Sequence, residues 1–152
     1  MTTIISGDQL RTLLFGTRVV APSYSLAVET KTLFNVSGKV ALTSLIGEVT
    51  TAITVANTVK LQANPTTGAT GNLCAATDIG TTDTPAGDLL TITGVPADSL
   101  LFNVGLGVGL KQAPLIIAAG TIEQVTATGA DGAVTWSLTY VPIENGATVT
   151  AA

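Results

Sequence analysis

The ten residues AVTWSLTYVP, positions 133–142, set the tightest limit on how this chain can fold. Val134, Trp136, Leu138 and Tyr140 alternate with Thr135, Ser137 and Thr139. A period of two puts the first set on one face of a strand and the second on the other, whereas a helix would scatter the same four around its cylinder. The same rhythm recurs in AITVANTVKLQAN, where Ile53, Val55, Val59 and Leu61 alternate with Thr54, Thr58, Lys60 and Gln62. It recurs again in LAVETKTLFNVSG, with Leu26, Val28, Phe34 and Val36 facing one way and Glu29, Lys31 and Asn35 the other. Thr30 and Thr32 interrupt that apolar face but favour strands.

Further strands are expected at 40–49, 88–95, 101–110, 114–120, 121–129 and near the ATVTA end. Turn signals rich in Gly, Pro, Asn and Asp separate them, at 64–72, 78–88, 94–99, 129–133 and 144–147. Short strands at this spacing predict an all-β fold, a single-domain β-sandwich or barrel. One helix is expected ahead of them, in SGDQLRTLLFGT: Ser6 or Asp8 can cap it, Leu10, Leu13 and Leu14 form an i, i+3, i+4 stripe, and Gly16 can end it. The division read from the sequence is therefore an N-terminal arm or short helix over 1–27 and a sandwich over 28–152. The helix either packs on the sandwich or reaches out to a neighbouring subunit.

Composition narrows the setting. Only 11% of the 152 residues are charged and mean hydropathy is +0.54, against about 25% charged in ordinary soluble domains. So little charge leaves apolar and hydroxyl surface with weak repulsion between copies, which points to self-association or docking on a larger assembly. The apolar run LFNVGLGVGLKQAPLIIAAG does not read as a membrane helix, because Asn103, Lys111, Gln112 and Pro114 interrupt the roughly 20 apolar residues a span requires. No signal peptide is read at the N-terminus.

Charge is also unevenly placed, with a balance of +2 over residues 1–60 and −6 over 61–152. The asymmetry suits either a basic end of one subunit meeting an acidic surface of another, or charges scattered on solvated loops. With an isoelectric point near 4.4 and no basic cluster among aromatics, nucleic-acid binding has no electrostatic footing.

The chain contains no histidine and one cysteine, Cys74. Ser-His-Asp and Cys-His catalysis, imidazole zinc sites and thiolate clusters are thereby excluded. Cys74 reads as a buried thiol. Asp78, Asp83, Asp88 and Asp98 lie in or beside turns, where aspartate serves its own backbone, and the EF-hand pattern is missing. Nothing marks a catalytic carboxylate pair. No catalytic, cofactor-binding or metal-ligating residue is assigned.

Gly105, Gly107 and Gly109 resemble half of a nucleotide fingerprint, but Leu110, Lys111, Gln112, Ala113 and Pro114 follow in place of GK[ST] and a helix. On a strand the three glycines would share a face open to close approach by another backbone; as a loop they would be a flexible apolar segment. Asn35-Val36-Ser37 matches a glycosylation sequon by coincidence of composition. Trp136 and Tyr140 read as core beneath a sheet in preference to a ligand platform.

The succession TKTLFNVSGKVALTSLIGEVTTAI, KLQANPTTG, NLCAATDI and AAGTIEQVTATGADGAVTWSLTYVPIENGATV resembles small virion structural proteins of tailed bacteriophages, particularly those infecting actinobacteria. The likeness spans about residues 28–150 and is most specific at WSLTYVP and the acidic residue and glycine that follow it. It implies a non-enzymatic capsid decoration (cement) protein, commonly homotrimeric, that binds the major capsid protein on the outer surface of the head without nucleic acid, membrane or cofactor. The alternative is a tail, baseplate or head-fibre component that binds the host surface. Leu10, Leu13, Leu14, Arg18, Gly105, Gly107 and Gly109 are the suspected subunit or capsid contacts.

Overall fold

In the computed structural model, which describes residues 6–103, 114–129 and 131–152, the alternation at 133–142 becomes the strand around which one sheet is built. Val134, Trp136, Leu138 and Tyr140 all point inward and are buried. In chain order the elements are α1 (Gly7–Phe15), β1 (Thr17–Ser25), β2 (Thr30–Ser37), β3 (Val40–Thr51), β4 (Thr58–Pro65), β5 (Gly71–Asn72), β6 (Thr77–Asp78), β7 (Leu89–Thr91), β8 (Leu101–Asn103), β9 (Leu115–Ile117), β10 (Gly120–Thr126), β11 (Ala133–Pro142) and β12 (Thr148–Ala151). They form two antiparallel sheets. The first has the order β1-β11-β3-β7-β8, with β9 also on β3; the second has the order β12-β2-β10-β4-β5, with β6 also on β4. The fold is an all-β sandwich with a short N-terminal helix.

The sheets enclose one core, to which the first contributes Leu42, Leu45, Leu90 and Trp136 and the second Phe34, Leu61 and Ile122. Trp136 is wholly buried, and its Nε1 donates to Oε1 of Gln124 on β10 at 2.7 Å, across the space between the sheets. Opposite it in the first sheet stands Gly47, where an added Cβ would lie 2.8 Å from the indole ring. The large ring and the missing side chain are therefore complementary: the register places the one residue without a Cβ beneath the largest side chain of the core.

Two bulges explain where simple alternation fails. On β2, Thr32 pairs with Glu123 and Phe34 with Ile122, so Leu33 is an extra residue and both Leu33 and Phe34 are buried. On β3, Ser44 pairs with Thr139 and Leu42 with Tyr140, so Thr43 is the extra residue and the inward set changes phase from Leu42 to Leu45. Pro22 falls at a third irregularity, between Val20 and Ser23 of the edge strand β1, where a missing N–H breaks no ladder bond.

The structure corrects several sequence expectations. β1 lies within the segment set apart as an arm, yet it pairs with β11 along its length, so the sandwich begins at Thr17 and not at residue 28. AITVANTVKLQAN is a strand only from Thr58 onward; Ile53 makes an isolated bridge to Thr84, and Val55 is exposed. Val28 is exposed as well, because β2 starts at Thr30. Cys74 is buried, as expected; burial raises its pKa, and its Sγ accepts the N–H of Leu61 at 3.3 Å.

Candidate docking surface

Helix α1 is capped at both ends and joined to the sandwich at its C-terminal one. Ser6 is its N-cap: the Ser6 hydroxyl accepts from the Gln9 N–H and the Gln9 side chain accepts from the Ser6 N–H, a complete capping box. At the other end Gly16 adopts φ 90°, a conformation favouring glycine, and its N–H donates to the Thr12 carbonyl at 3.0 Å. A Cβ on Gly16 would lie 2.2 Å from the Tyr140 carbonyl oxygen, so helix and β11 meet here at backbone distance. The bulged Thr43 adds a second tie to the sandwich, its hydroxyl donating to the Phe15 carbonyl at 2.7 Å. The helix is therefore set at a defined angle on the sandwich.

Its orientation is the unexpected feature. Asp8, Arg11, Thr12 and Phe15, spaced i, i+3, i+4 and i+7, line an open groove of about 430 Å³ together with Arg18, Ser44, Ile46 and Thr139 from the outer face of the first sheet. Asp8 and Arg11 form an ion pair within that row. At 100° per residue, Leu10, Leu13 and Leu14 lie on the opposite side of the helix, facing away from the sheet. They are 50%, 73% and 67% exposed, and no residue of α1 is buried. Of the two alternatives read from the sequence, the stripe does not pack on the sandwich; the side of the helix bearing Asp8, Arg11, Thr12 and Phe15 faces the sheet.

Phe15, 52% exposed, stands on the sheet-facing side of the helix at the joint with Gly16, away from the leucine stripe. Val141 lies beside that joint, and Val141, Ala41 and Ile116 are aligned across β11, β3 and β9 on the outer face, with Val141 and Ile116 exposed. Sequence reading missed Phe15, Val141 and Ile116; Val141 follows the last inward residue of the alternation, a signal that it turns outward. Of the suspected contacts, Leu10, Leu13 and Leu14 fall together on one stripe, Arg18 lies in the groove beneath the helix, and Gly105, Gly107 and Gly109 lie outside the described residues.

Two of the turn aspartates, Asp78 and Asp98, serve their loops, whereas Asp88 is buried with its Oδ2 unpartnered among the described residues. Asp78 Oδ2 accepts from the Thr81 hydroxyl at 2.5 Å, and its Oδ1 accepts the N–H groups of Gly80, Thr81 and Asn57. The Thr81 hydroxyl and then the Gly80 N–H draw the Asp78 pKa down to about 2. Asp98 accepts from the Thr93 hydroxyl. Glu123, on the outer face of the second sheet, is nearly buried; burial opposes its ionisation, but donors from Gln62, Thr121 and Asn64 outweigh it and keep its pKa below the usual value. Among the described residues no three His, Cys, Asp or Glu side chains are grouped as a metal site, and no helix is long and apolar enough to cross a membrane.

The depressed carboxylates have a consequence for stability. A group whose pKa is lower in the folded chain than in the unfolded one stabilises the fold above its unfolded value and loses that contribution as pH falls through the folded value. For Asp78 the window runs from the model-peptide 3.8 down to about 2. Urea midpoints recorded between pH 5 and 2 are expected to fall through this window, and Asp78→Asn is expected to flatten the fall; an unchanged pH profile in the variant would remove Asp78 as a cause.

Comparison of the chain with protein-family models, with curated proteins and with solved structures returns no match.

Proposed function

We propose that this chain is a capsid decoration (cement) protein of a tailed bacteriophage, non-enzymatic and homotrimeric, that docks on the major capsid protein at the outer surface of the head and stabilises the shell. The observation that carries the reading is the fixed helix α1 with its leucine stripe turned to solvent. A large apolar stripe on a helix joined to the sandwich at its C-terminal end is a surface suited to a protein partner, and that joint reduces the ordering entropy lost on binding. The low charge of the chain and the resemblance of residues 28–150 to virion proteins point the same way. Docking across junctions between shell subunits would favour the intact shell by mass action, and three linked copies would add avidity.

The test is quantitative. Purified protein is expected to give a trimer mass by light scattering and to bind mature heads saturably, in a copy number matching their threefold positions. A monomer that fails to sediment with heads would overturn the proposal, and a copy number of only a few per particle would transfer the chain to the tail, baseplate or head fibre.

A further inference from the structure

The turn between β11 and β12 holds the chain's one Asn-Gly pair, Asn145-Gly146. Ala147 N–H donates to the Glu144 carbonyl at 3.1 Å and closes a turn with that pair at its centre. Gly146 adopts φ 80° and Asn145 has no positive φ, the pattern of a type II turn with its glycine in the required place. Both central residues are exposed, and a Cβ on Gly146 would meet nothing within 4 Å. Among the described residues, neither the Asn145 carboxamide nor the Gly146 N–H has a hydrogen-bond partner. The side-chain amide and the backbone nitrogen after it, the groups whose reaction makes asparagine thermolabile, are therefore both unhindered.

The other asparagines are each hindered. Asn57 is wholly buried, and Asn64 precedes Pro65, which has no N–H. Asn35 lies inside β2, between β10 and β12, ahead of the β-branched Val36. The N–H after Asn72 is committed, because Leu73 donates it to the Leu61 carbonyl at 2.8 Å. Asn103 precedes the β-branched Val104. Asp131-Gly132 has the same small neighbour, but the Asp131 carboxylate accepts both the N–H and the hydroxyl of Thr54, and a Cβ on Gly132 would lie 2.5 Å from Ile53.

We infer that Asn145 is a site of spontaneous deamidation and isomerisation in the folded chain. The Gly146 nitrogen, having lost its proton, attacks Cγ of Asn145; the N–Cγ bond forms as the Cγ–Nδ2 bond breaks, and the released group takes up a proton and leaves as ammonia. Glycine lets the nitrogen reach Cγ without a Cβ in the way. Water then opens the five-membered imide. Breaking its N–Cγ bond gives aspartate, and breaking the bond from nitrogen to the α-carbonyl carbon gives isoaspartate, whose main chain runs through the former side chain. Water is consumed, ammonia is released, and nothing is oxidised or reduced. Isoaspartate lengthens the main chain just ahead of Ala147, which is buried against Gly38, where an added Cβ would lie 2.8 Å from the Ala147 Cβ. The longer turn therefore presses on a closely packed residue at the entry to β12.

The test keeps the intact chain and the free peptide IENGATV, residues 143–149, in the same mildly alkaline buffer and follows both by peptide mapping. In the intact chain Asn145 is expected to convert at no less than about a third of the free-peptide rate and about tenfold faster than any other asparagine, since no contact restrains it. Two products of equal mass are expected, one cut by an aspartate-directed protease and one resistant. Asn145→Gln, which would have to close a less favourable six-membered ring, is expected to keep its amide; aged wild type should then melt about 3 °C below the equally aged variant. An Asn145 amide that stays intact while the free peptide converts overturns the inference, as does earlier conversion of another asparagine. A single product wholly cut by the protease overturns the isomerisation, and equal Tm values overturn the effect assigned to Ala147.

Discussion

Trp136→Ala is expected to lower the free energy of unfolding by about 3–5 kcal/mol, the range for removing a large aromatic from a packed core. Natural domains of this size have about 5–15 kcal/mol in total, so the variant should stand near the edge of folding. Two effects combine. The indole is wholly buried between the sheets over Gly47, which can offer no side chain to fill the space left behind. Its Nε1 is also the donor to Gln124 Oε1, which the substitution strands in the core. Trp136→Phe separates the two, because it keeps most of the apolar volume and removes the donor; it is expected to cost about 1–3 kcal/mol. Adding Gln124→Leu to that variant should recover part of the loss, since it removes the stranded Oε1 acceptor and gives up only the long 3.4 Å bond from Gln124 Nε2 to the Thr126 hydroxyl. Urea denaturation measures all three, and a near-neutral Trp136→Ala would contradict the central place given to this residue.

On the proposed docking role, Leu13→Ser combined with Leu14→Ser is expected to weaken binding to phage heads by about 100-fold or more, as two anchor residues at the centre of an interface would. The stability of the isolated chain should change by less than about 1 kcal/mol, because both side chains are largely exposed and the alterations amount to helix propensity. This contrast is the point of the pair. Trp136→Ala should damage the fold, whereas the leucine substitutions should damage docking and leave the urea midpoint nearly in place. Heads sedimented with labelled protein give the affinity. Unchanged binding would move the docking surface off α1, with the outer-face row of Val141, Ala41 and Ile116 as the next place to test.

The chain's own pattern determined the strand character, the helix and much of the core. Alternation at 133–142 assigned the inward face of β11 correctly, because a strand exposed on one side must sort its side chains by position. Ser6, one of the two caps offered by the sequence, and Gly16 marked the ends of α1, since capping depends on residues a few positions apart. Reading failed where partners distant in sequence set the outcome. β1 lies in the segment read as an arm or short helix; Pro22 and scattered hydroxyls break its rhythm, and only its pairing with β11 makes it a strand. Leu33 and Phe34 are both inward because β10 holds one residue where β2 holds two. The direction of the leucine stripe was equally hidden: periodicity defines an apolar side of a helix but not what that side faces. That was decided by the joint at Gly16, where the backbone of β11 leaves no room for a Cβ, and by the Thr43 hydroxyl on the last carbonyl of the helix. Local hydrogen bonding and side-chain period are properties of neighbours along the chain, so sequence can carry them; the angle between a helix and a sheet is set by contacts between residues far apart, and only the assembled fold brings those together.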